Sequence, residues 1–584
     1  MKKRKLHKRV AWGMMSVLLA SGCAATAVAS GESTEREVYP STFEASGEGA
    51  ADYEEKLNRF VEEFDAYLEE TGESGKMLGY DEPITVTSIN SYSSSTEEGM
   101  LKINALTGET MTNNRWNDAI KRMFNVDLEY SWTSLEGDYS SKLRLDMASG
   151  ELPDIFLVNS QSDLVSMAEQ GLIWDMTDLI DQYALDRDKE VWASDDGGYL
   201  QQATVDGRIY GLPAMLSATD HVSYIWFRDD WMEKLGLEYP TTMEELEGVM
   251  KAFVTQDPDG NGQDDTWGLQ MGSDPVNGNG VRGLYAAFGA YPEYWHEKDG
   301  AVVWGGTTDE TKAALDYMAS LYQKGYINPE FVTMDSNQAT QQILNEKVGI
   351  VYDGHWFGGT AGDLHELNPD ARWKCVPLPS ATGEPVKSIL KPAGSGWLVV
   401  NKNFEHPELA LKLRGLGSFG VMCSDSAWWW YQESMTWHIS PVKANVSAFD
   451  NLVTYQNLQE AYEAGEDESL LKAKAVPYWA NLHGALAWEW ELMFGPGEGT
   501  PMHVLEKDYE EGNLFWDPFN GVMSSFANER WSSIRDAEKQ SFINIIIGKT
   551  GVDEGFVQWM ETFHNLGGDQ IVQEVNDWYD ENHK

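Results

Sequence analysis

Residues 206–236 read DGRIYGLPAMLSATDHVSYIWFRDDWMEKLG, and this stretch decides the fold. The pattern predicts a short strand over 208–212 that lies at a sheet edge or ends at Pro213, because proline has no N–H to donate to a central ladder. A short polar segment follows at 217–220, and the apolar run 221–227 then leads into a helix that ends at Gly236. A strand that stops, crosses and restarts as a strand-helix unit predicts a chain that passes between two lobes.

Two parts of this stretch, GRIYGLPA at 207–214 and YIWFRDDWMEKLGL at 224–237, resemble the crossover of extracellular solute-binding proteins of ABC importers. In the maltose-binding-protein-like branch of that family, the segment carries the chain from one lobe to the other. The resemblance implies an α/β fold of the two-lobed periplasmic-binding-protein-like type II, with a ligand cleft between the lobes. Trp226 would then lie near the cleft, the alternative being a core tryptophan at the lobe junction.

The 584-residue chain is strongly acidic, with 94 Asp and Glu against 43 Lys and Arg and a net charge of −51. This charge disfavours nucleic acid as a partner, because binding phosphates needs a basic footprint. It also argues against uronate-rich ligands, which a polyanion repels. A content of 42% hydrophobic and 12% aromatic residues indicates a folded protein. The 24 tryptophans predict flat apolar faces for stacking on a ligand, in addition to core positions.

The N-terminal residues have the composition of an export signal. A basic segment precedes an apolar run over 10–20 that is too short to span a bilayer. LASGC at 19–23 resembles a bacterial lipobox, which implies a lipoprotein signal peptide over 1–22 and a lipid on Cys23; AVA at 27–29 offers ordinary cleavage as the alternative. Residues 23–51, rich in Ser, Gly, Glu and Ala, predict a flexible tether. We therefore expect a Gram-positive-type lipoprotein, held on the extracellular face of the cell membrane only by its lipid.

Strands and helices alternate in the body of the chain, which indicates βαβ units and a largely parallel sheet. The first lobe is predicted from strands at 84–89, 126–130 and 155–158 and from helices at 114–124 and 140–148. Residues 394–400 are predicted to carry the return crossing. We expect a first lobe of residues 52–210 with 394–440 and a second lobe of residues 214–390 with 441–584, which includes a Trp-rich insertion.

Ligand contacts are expected where strands end, because ligands of open α/β sheets collect outside the carboxyl ends of the strands. The polar residues at such positions are Asn90, Tyr92, Asn159, Ser160 and Asp274. The segment LRLDMASGELPDIFLVNSQ at 143–161 resembles the family's stretch that leads to a loop facing the cleft, and it supports Asn159 and Ser160. The alternative for each residue is an ordinary turn position.

The loop DPDGNGQDD at 257–265 has the ligand spacing of the first part of a calcium-binding EF-hand loop. Side-chain oxygens stand at positions 1, 3, 5 and 9, a glycine at position 6 and a backbone carbonyl at position 7; the predicted ligands are Asp257, Asp259, Asn261, Gln263 and Asp265. Gly268 occupies position 12, where a bidentate Glu is usual. The sequence predicts a shortened, structural Ca²⁺ site, with a metal-free polar turn as the alternative.

Trp356 is the strongest single candidate for a ligand contact. The strand predicted over 348–352 opens into DGHWFGG at 353–359, where glycines leave the face of the tryptophan clear. Sugars present C–H-rich faces that stack on such rings. GIVYDGHWFGG resembles the motif that carries a sugar-stacking Trp in maltose-binding protein, although a core position is the alternative. Trp429 and Trp479, in the Trp-rich region, are further candidates.

The C-terminal run IIIGKTGVDEGFVQWMETFHNLGGDQIVQEVNDWY at 545–579 is similar to the ending of one subfamily of extracellular solute-binding lipoproteins, often assigned to sugar or aldouronate import. Its pattern predicts two helices joined by a Gly-Gly turn, packed on the second lobe. The cysteines other than Cys23 are Cys375 and Cys423. Two alternatives stay open for them: a disulfide bond between them, or two buried free thiols.

These features predict a non-enzymatic, monomeric binding protein that captures an oligosaccharide by lobe closure and delivers it to the transmembrane subunits of an ABC permease. One alternative is a secreted carbohydrate-active enzyme, but the sequence contains no GxSxG, HExxH or GxxxxGK[ST] motif. The other is a binder of the same fold for a peptide or another solute. An apolar cleft with few rings would favour peptides, and aromatic platforms with polar rims would favour sugars.

Overall fold

The computed structural model describes residues 39–40, 43–422, 424, 426, 439–443, 445–472 and 474–583. All of them belong to the unit Val38–Lys584. The predicted signal peptide, most of the tether, Cys23, Cys423 and Trp429 lie outside the described residues.

The described strands are short and are distributed over most of the chain. In chain order they are β1 Ile84–Tyr92, β2 Val126–Leu135, β3 Ile155–Val158, β4 Thr204–Val205, β5 Arg208–Ile209, β6 Leu212–Met215, β7 Tyr224–Arg228, β8 Trp295–Lys298, β9 Ala301–Trp304, β10 Ile350–Asp353, β11 Trp373–Val376, β12 Ser388–Leu390, β13 Gly394–Val400 and β14 Leu514–Trp516.

Helices connect and cover these strands. They span Ala50–Thr71, Ser94–Thr107, Arg115–Phe124, Glu136–Ser149, Gln161–Glu169, Thr177–Tyr183, Asp186–Ala193, Gly198–Gln201, Asp229–Leu235, Met243–Thr255, Asn279–Ala287, Asp309–Gln323, Ser336–Leu344, Phe357–Leu367, Leu409–Met422, Asp450–Glu463, Ala475–Leu482, Ala487–Phe494, Pro501–Glu511, Ser525–Ile546, Val552–Asn565 and Gly568–His583. The helices that the sequence predicts over 114–124 and 140–148 are confirmed, the second of them longer than expected.

The sheet of the first lobe has the order β3–β13–β6, with β13 antiparallel to both neighbours. β1 and β2 form a parallel pair beside it. The expectation of a largely parallel sheet is therefore wrong around β13. The physical reason is the return crossing: β3 and β6 run toward the second lobe, and β13 comes back from it and must run the opposite way.

Pro213 lies in β6, opposite Trp397 of β13. Because β6 pairs only with β13, it forms an edge of this sheet. An edge strand tolerates a proline, because one of its two sides carries no ladder hydrogen bonds. The strand predicted over 208–212 is divided between β5 and the start of β6, which continues through Pro213; the edge position is confirmed for β6.

In the second lobe, β7 is the central strand of the sheet β10–β7–β11 and is antiparallel to both neighbours. Alternate side chains of β7 enter two different cores: Ile225 and Phe227 contribute to one, and Tyr224 and Trp226 to the other. Residues 267, 269 and 270 form isolated bridges with 348, 327 and 351. Both faces of the sheet are therefore covered.

The first lobe has its own core, built from residues between Phe43 and Val442. The C-terminal helices pack into the core of the second lobe through Phe542, Trp559 and Ile571. Gly567 lies between the last two helices and adopts a positive φ of 94°, and Gly568 begins the last helix. The predicted pair of helices with a Gly-Gly turn is confirmed.

Candidate functional site

The two lobes meet where the chain crosses between them, and these crossings are hydrogen-bonded to one another. Leu216 donates its N–H to the Ala393 carbonyl, and Ala218 donates its N–H to the Ala448 carbonyl. A cavity of about 560 Å³ lies beside the crossings. This volume falls in the range of small-molecule sites.

Side chains from both lobes form the walls of this cavity, which we call the Trp356 cavity. The first lobe supplies Tyr199, Gln202 and Trp397; the second supplies Asp220, His221, Asn279, Arg282, Asp353 and Trp356; Lys391 comes from a crossing. Aromatic rings on opposite walls with polar groups between them are the arrangement that suits a hydroxyl-rich ring with apolar faces.

Trp356 is 48% exposed, whereas the other tryptophans that the structure describes are buried or half-buried. It follows β10 directly and stands at the start of the helix Phe357–Leu367. Its ring lies over Gly354: a Cβ on that residue would meet Trp356 Cζ2 at 2.5 Å. Glycine at 354 therefore makes room for the ring, which leaves the other face open.

Two carboxyl groups of the Trp356 cavity hold their protons more tightly than usual. Burial raises the pKa of Asp353 to about 6, although hydrogen bonds from the Gly354 N–H and the Trp356 side chain act in the opposite direction. Burial also raises the pKa of Asp220 to about 6, against the nearby charge of Lys474. Both groups are mainly ionised at neutral pH and can accept hydrogen bonds from hydroxyl groups.

The basic groups on the second-lobe wall are mostly engaged. Arg282 makes two hydrogen bonds of 2.6 Å to the Glu293 carboxylate. His221 Nδ1 lies 3.0 Å from the Tyr294 hydroxyl, and burial together with the charge of Arg282 lowers the pKa of His221 to about 3. The histidine is therefore neutral at physiological pH.

The first-lobe wall is an aromatic pair. The rings of Tyr199 and Trp397 stack with centroids 4.8 Å apart and an angle of 14°, and the Trp397 indole donates to the Tyr199 carbonyl at 3.1 Å. Gly394 faces this pair, since a Cβ there would lie 2.3 Å from the tyrosine ring. The first lobe thus contributes a pre-formed, largely buried aromatic pair to the lining of the cavity.

A second cavity of about 320 Å³ adjoins the first, and we call it the Trp531 cavity. Gln202 and Lys391 line both cavities. Its other walls include Gln161, Asn277, Trp295, Trp304, Trp531 and Arg535. The Trp295 and Trp531 rings stack at 5.5 Å and 18°, and Trp304 meets Trp531 edge-on at 4.7 Å.

Two tryptophans that the sequence offers as ligand contacts are structural. Trp226 is fully buried and packs against Phe357, because β7 is covered on both faces; the prediction of a cleft position is corrected to the core alternative. Trp479 is buried between Tyr462 and His483, and its indole donates to Glu468 at 3.2 Å. Trp429 lies outside the described residues.

The loop residues predicted from strand ends do not line the two cavities as the structure describes them. Asn90 is buried and donates to the Ile439 carbonyl at 3.2 Å, and Tyr92 is still part of β1. Ser160 caps the helix Gln161–Glu169. Asp274 accepts hydrogen bonds from the backbone N–H groups of Val276 and Asn277 and from Lys539 Nζ. The loop after β3 still reaches the site, because Gln161, which directly follows Asn159 and Ser160, lines the Trp531 cavity.

Asn159 is exposed and accepts a hydrogen bond from Ser140 at 2.9 Å. Its backbone adjoins Gly396 of β13, where an added Cβ would lie 2.9 Å from the Asn159 Cα. Asn159 therefore lies beside Gly396, the residue that directly precedes Trp397 of the first-lobe wall. Its role as a ligand contact stays a prediction.

The predicted calcium loop is held by its own side chains. Asp257 accepts the Gly262 N–H at 3.0 Å, and Asn261 accepts the Gln263 N–H at 2.7 Å. Lys347 Nζ lies 2.6 Å from Asp265 and 3.5 Å from Asp259. In the described part of the chain, no cluster of three or more Asp, Glu, His or Cys side chains is placed to hold a metal ion.

Position 12 of the loop has no room for the usual glutamate. A Cβ on Gly268 would meet the Met250 Cβ at 2.7 Å. One carboxylate oxygen of Asp257 is buried without a hydrogen-bond partner. The loop thus offers the oxygen ligands that Ca²⁺ prefers. The ammonium group of Lys347 forms ion pairs with two of its carboxylates, those of Asp259 and Asp265.

Sequence patterns alone single out Trp356, but they miss Tyr199, Trp397 and Lys391. Trp397 had a usable signal: it follows GSG at 394–396, the same combination of glycines and one tryptophan that marks 354–359. Tyr199 and Lys391 carry no such pattern, since their positions depend on how the crossings bring the lobes together.

No helix among the residues that the structure describes has the length and apolar character needed to cross a membrane. Cys375 is buried and forms no disulfide within the described part of the chain. The pairing of Cys375 with Cys423 stays open, because Cys423 is outside the described residues.

Solved solute-binding proteins share this fold. A protein from Bifidobacterium longum subsp. infantis matches over 86% of this chain and 99% of its own, with a TM-score of 0.59 and 19% identity. FusA from Streptococcus pneumoniae, solved with kestose, matches over 85% of this chain and 99% of its own, with a TM-score of 0.57 and 18% identity. A solved EF-hand mutant of FusA gives a TM-score of 0.53 at 17% identity. The chain therefore has the two-lobed α/β fold that the sequence predicts.

Curated relatives agree with this fold. YtcQ from Bacillus subtilis, a polygalacturonan/rhamnogalacturonan-binding protein, is 24% identical over 78% of this chain and 86% of its own length. Lipoprotein LipO from the same species is 29% identical over 40% of this chain, and the fructooligosaccharide-binding FusA is 32% identical over 38%. The chain spans less than half the length of LipO and FusA in these matches. The profile of bacterial extracellular solute-binding proteins matches residues 113–413, and the chain belongs to this family.

Proposed function

We propose that this protein is the extracellular substrate-binding component of an ABC transporter and that it captures an oligosaccharide for import. The observation that carries the proposal is the exposed ring of Trp356 in a cavity walled by both lobes, opposite the Tyr199–Trp397 pair. Sugar rings stack on aromatic faces and hydrogen-bond to polar rims. The carbohydrate-binding relatives support the same ligand class.

Binding is proposed to close the two lobes on the ligand. A ligand shifts the equilibrium between open and closed forms only by its differential contacts with the two states. Contacts with both walls of the Trp356 cavity meet this requirement, because they are all made only when the lobes are close together. The closed form is then the one that the permease subunits would recognise, and the family assignment supports a role without catalysis.

The membrane attachment is proposed to be a lipid on Cys23, followed by the flexible tether. LipO, a lipoprotein, supports this attachment through its similarity to the chain. The protein is proposed to act as a monomer on the extracellular face of the cell membrane.

The ligand class is tested by thermal unfolding of the soluble protein, starting after Cys23, with oligosaccharides, peptides and no ligand. A bound oligosaccharide at about one hundred times its Kd should stabilise the fold by about 2.7 kcal/mol, which raises Tm by a few degrees. The sugar should be recovered intact after incubation. A rise in Tm with peptides alone would contradict the carbohydrate assignment, and hydrolysis of the sugar would contradict the role without catalysis.

We further propose that the loop 257–265 binds Ca²⁺ as a structural ion, with Asp257, Asp259, Asn261, Asp265 and the Gln263 carbonyl as ligands. The buried, unpaired oxygen of Asp257 and the EF-hand of FusA support this site. The ammonium group of Lys347 would have to leave Asp259 and Asp265 when the ion binds. Calcium and Lys347 are therefore expected to compete.

Adding Ca²⁺ to chelator-treated protein should raise Tm, because an ion that binds only the folded state stabilises it. Asp259→Asn should abolish this rise, and Lys347→Met should allow it at lower Ca²⁺ concentrations. Asp264→Asn is the matched control, since this exposed aspartate lies in the same loop outside the ligand set. Equal Tm values in Ca²⁺ and in chelator for the unmodified protein would rule the site out.

A further inference from the structure

Lys391 occupies a singular position between the two cavities. It directly follows β12, which pairs in parallel with β14, and it lines both the Trp356 cavity and the Trp531 cavity. In the described part of the chain, its ammonium group makes no ion pair, unlike the two arginines that border the same cavities. A half-buried ammonium group that makes no ion pair gains much from an incoming anion.

The two arginines are already neutralised. Arg282 is bound by both carboxylate oxygens of Glu293, and Arg535 pairs with Glu538 and donates to Asn277. A ligand carboxylate would therefore have to break existing pairs to use either arginine, whereas Lys391 is available without such a loss.

Asp517 is the carboxyl group beside Lys391 on the neighbouring strand end. Its oxygens accept the N–H groups of Trp295 at 3.2 Å and Phe519 at 2.9 Å. Burial raises the pKa of Asp517 to about 6, and the charge of Lys391 lowers it only in part. Asp517 is mainly ionised at neutral pH, but its oxygens accept backbone N–H groups, and within the described residues it forms no ion pair with Lys391.

The negative groups are distributed unevenly between the two cavities. Asp220 and Asp353 border only the Trp356 cavity, where they can accept hydrogen bonds from neutral hydroxyl groups. The carboxylate that borders the Trp531 cavity belongs to Glu293, whose charge Arg282 neutralises. An anionic ring would be repelled in the first cavity and tolerated in the second.

The strong net negative charge of the chain does not decide this question. Interactions between exposed charges are largely screened beyond a Debye length of about 8 Å at physiological salt, while partly buried groups are screened much less. The ammonium group of Lys391 at the cavity junction therefore outweighs acidic residues on the distant surface. The sequence-based argument against uronate ligands, which rests on net charge, does not apply to the site itself.

We propose that the ligand is an acidic oligosaccharide whose carboxylate binds Lys391 at the entrance to the Trp531 cavity, while a neutral face of the sugar stacks on Trp356. This proposal rests on the proposed function and names the chemical class of its ligand. The tryptophans of the Trp531 cavity then hold the apolar face of the charged sugar ring.

The test compares uronate trisaccharides from pectin, alginate and glucuronoxylan with the same trisaccharides after reduction of their carboxyl groups to alcohols. Calorimetric affinities at neutral pH are measured for the unmodified protein, Lys391→Met and Lys391→Arg. Lys387→Met is the matched control, because Lys387 is an exposed lysine four residues away that borders neither cavity as the structure describes them. Methionine keeps the unbranched shape and most of the length of the side chain and removes the ammonium group.

The unmodified protein should bind at least one uronate trisaccharide more tightly than its reduced form. Lys391→Met should lose about ten- to hundredfold of this affinity, as expected for a hydrogen bond to a charged group, and should bind the reduced sugar as before. Lys391→Arg should retain most of the affinity, and Lys387→Met all of it.

The proposal is overturned if every reduced sugar binds as tightly as its uronate form, or if Lys391→Met weakens both forms equally. In either case the oligosaccharide-binding function stands, because sugars still bind. If no oligosaccharide binds in this series or in the thermal-unfolding series, the proposed function itself fails, and the ligand inference fails with it.

Discussion

Trp356→Ala is expected to weaken oligosaccharide binding by about thirtyfold or more while leaving the fold as stable as before. A tryptophan that anchors a ligand typically contributes about 2 kcal/mol or more, which corresponds to this factor. The ring is half exposed and lies at the start of a helix, so its removal leaves no cavity in the core. The measurement is the calorimetric Kd and the Tm of the same sample.

Trp174→Ala is the matched control for this variant. Trp174 is also partly exposed, but it lies near Val400, at the end of β13 opposite the cavity, and donates its indole N–H to the Phe404 carbonyl. Its replacement should leave Kd unchanged. A Trp356→Ala protein that binds oligosaccharides with unchanged affinity would remove Trp356 from the site and would count against the carbohydrate assignment.

Glu109→Ala is expected to destabilise the first lobe by about 3–5 kcal/mol, the usual cost of breaking a buried ion pair from one side. Glu109 and Arg115 are both fully buried, and their side chains are joined by hydrogen bonds of 2.8 and 2.6 Å. Thr107 also donates to this carboxylate at 2.7 Å. The variant leaves the guanidinium of Arg115 without its carboxylate partner in the core. The free energy of unfolding in urea measures the effect.

The pKa of Glu109 gives a second readout of the same pair. Burial alone would raise this pKa, but the hydrogen bonds and charge of Arg115 outweigh burial and hold it below its usual value. A carboxyl group with a lowered folded-state pKa stabilises the fold above its unfolded-state pKa, and this contribution is lost as the pH falls through the folded-state value. Glu109→Gln should therefore remove part of the acid sensitivity of the first lobe.

Asp553→Ala is the control for the stability prediction. Asp553 pairs with Lys312 at 2.6 Å on the surface, where solvent screens the interaction, so no measurable change in unfolding is expected. If Glu109→Ala unfolds at the same urea concentration as Asp553→Ala, the buried pair does not stabilise the lobe as proposed.

Much of the fold could be predicted from local pattern. The helix that begins after Thr242 is fixed by its capping box with Glu245, and the helix Asp229–Leu235 by Gly236 at its end, where φ is positive. The apolar run before that helix identifies β7. These elements are determined by residues close in sequence, which is why sequence patterns find them.

The site could be predicted only where local signals coincide with it. Trp356 stands among glycines directly after a buried strand, and both facts are visible in the sequence. Asn90 carries the same kind of signal as a polar residue near a strand end, but β1 continues through it and buries it. Strand length depends on pairing with β2, which the sequence of β1 does not contain.

By itself, the sequence determined several of the helices, the crossings, the edge position of the strand at Pro213 and the glycine-framed tryptophan, because each follows from propensity, capping or missing N–H groups within a few residues. Only the tertiary structure decided that Trp226 is core, that Trp397 and Tyr199 line the cavity from the first lobe, and that Lys391 lies between two cavities without an ion pair to any described residue. The physical reason is that burial and charge neutralisation depend on partners more than a hundred residues away, such as Tyr199 and Trp397, which meet only when the three crossings bring the lobes together.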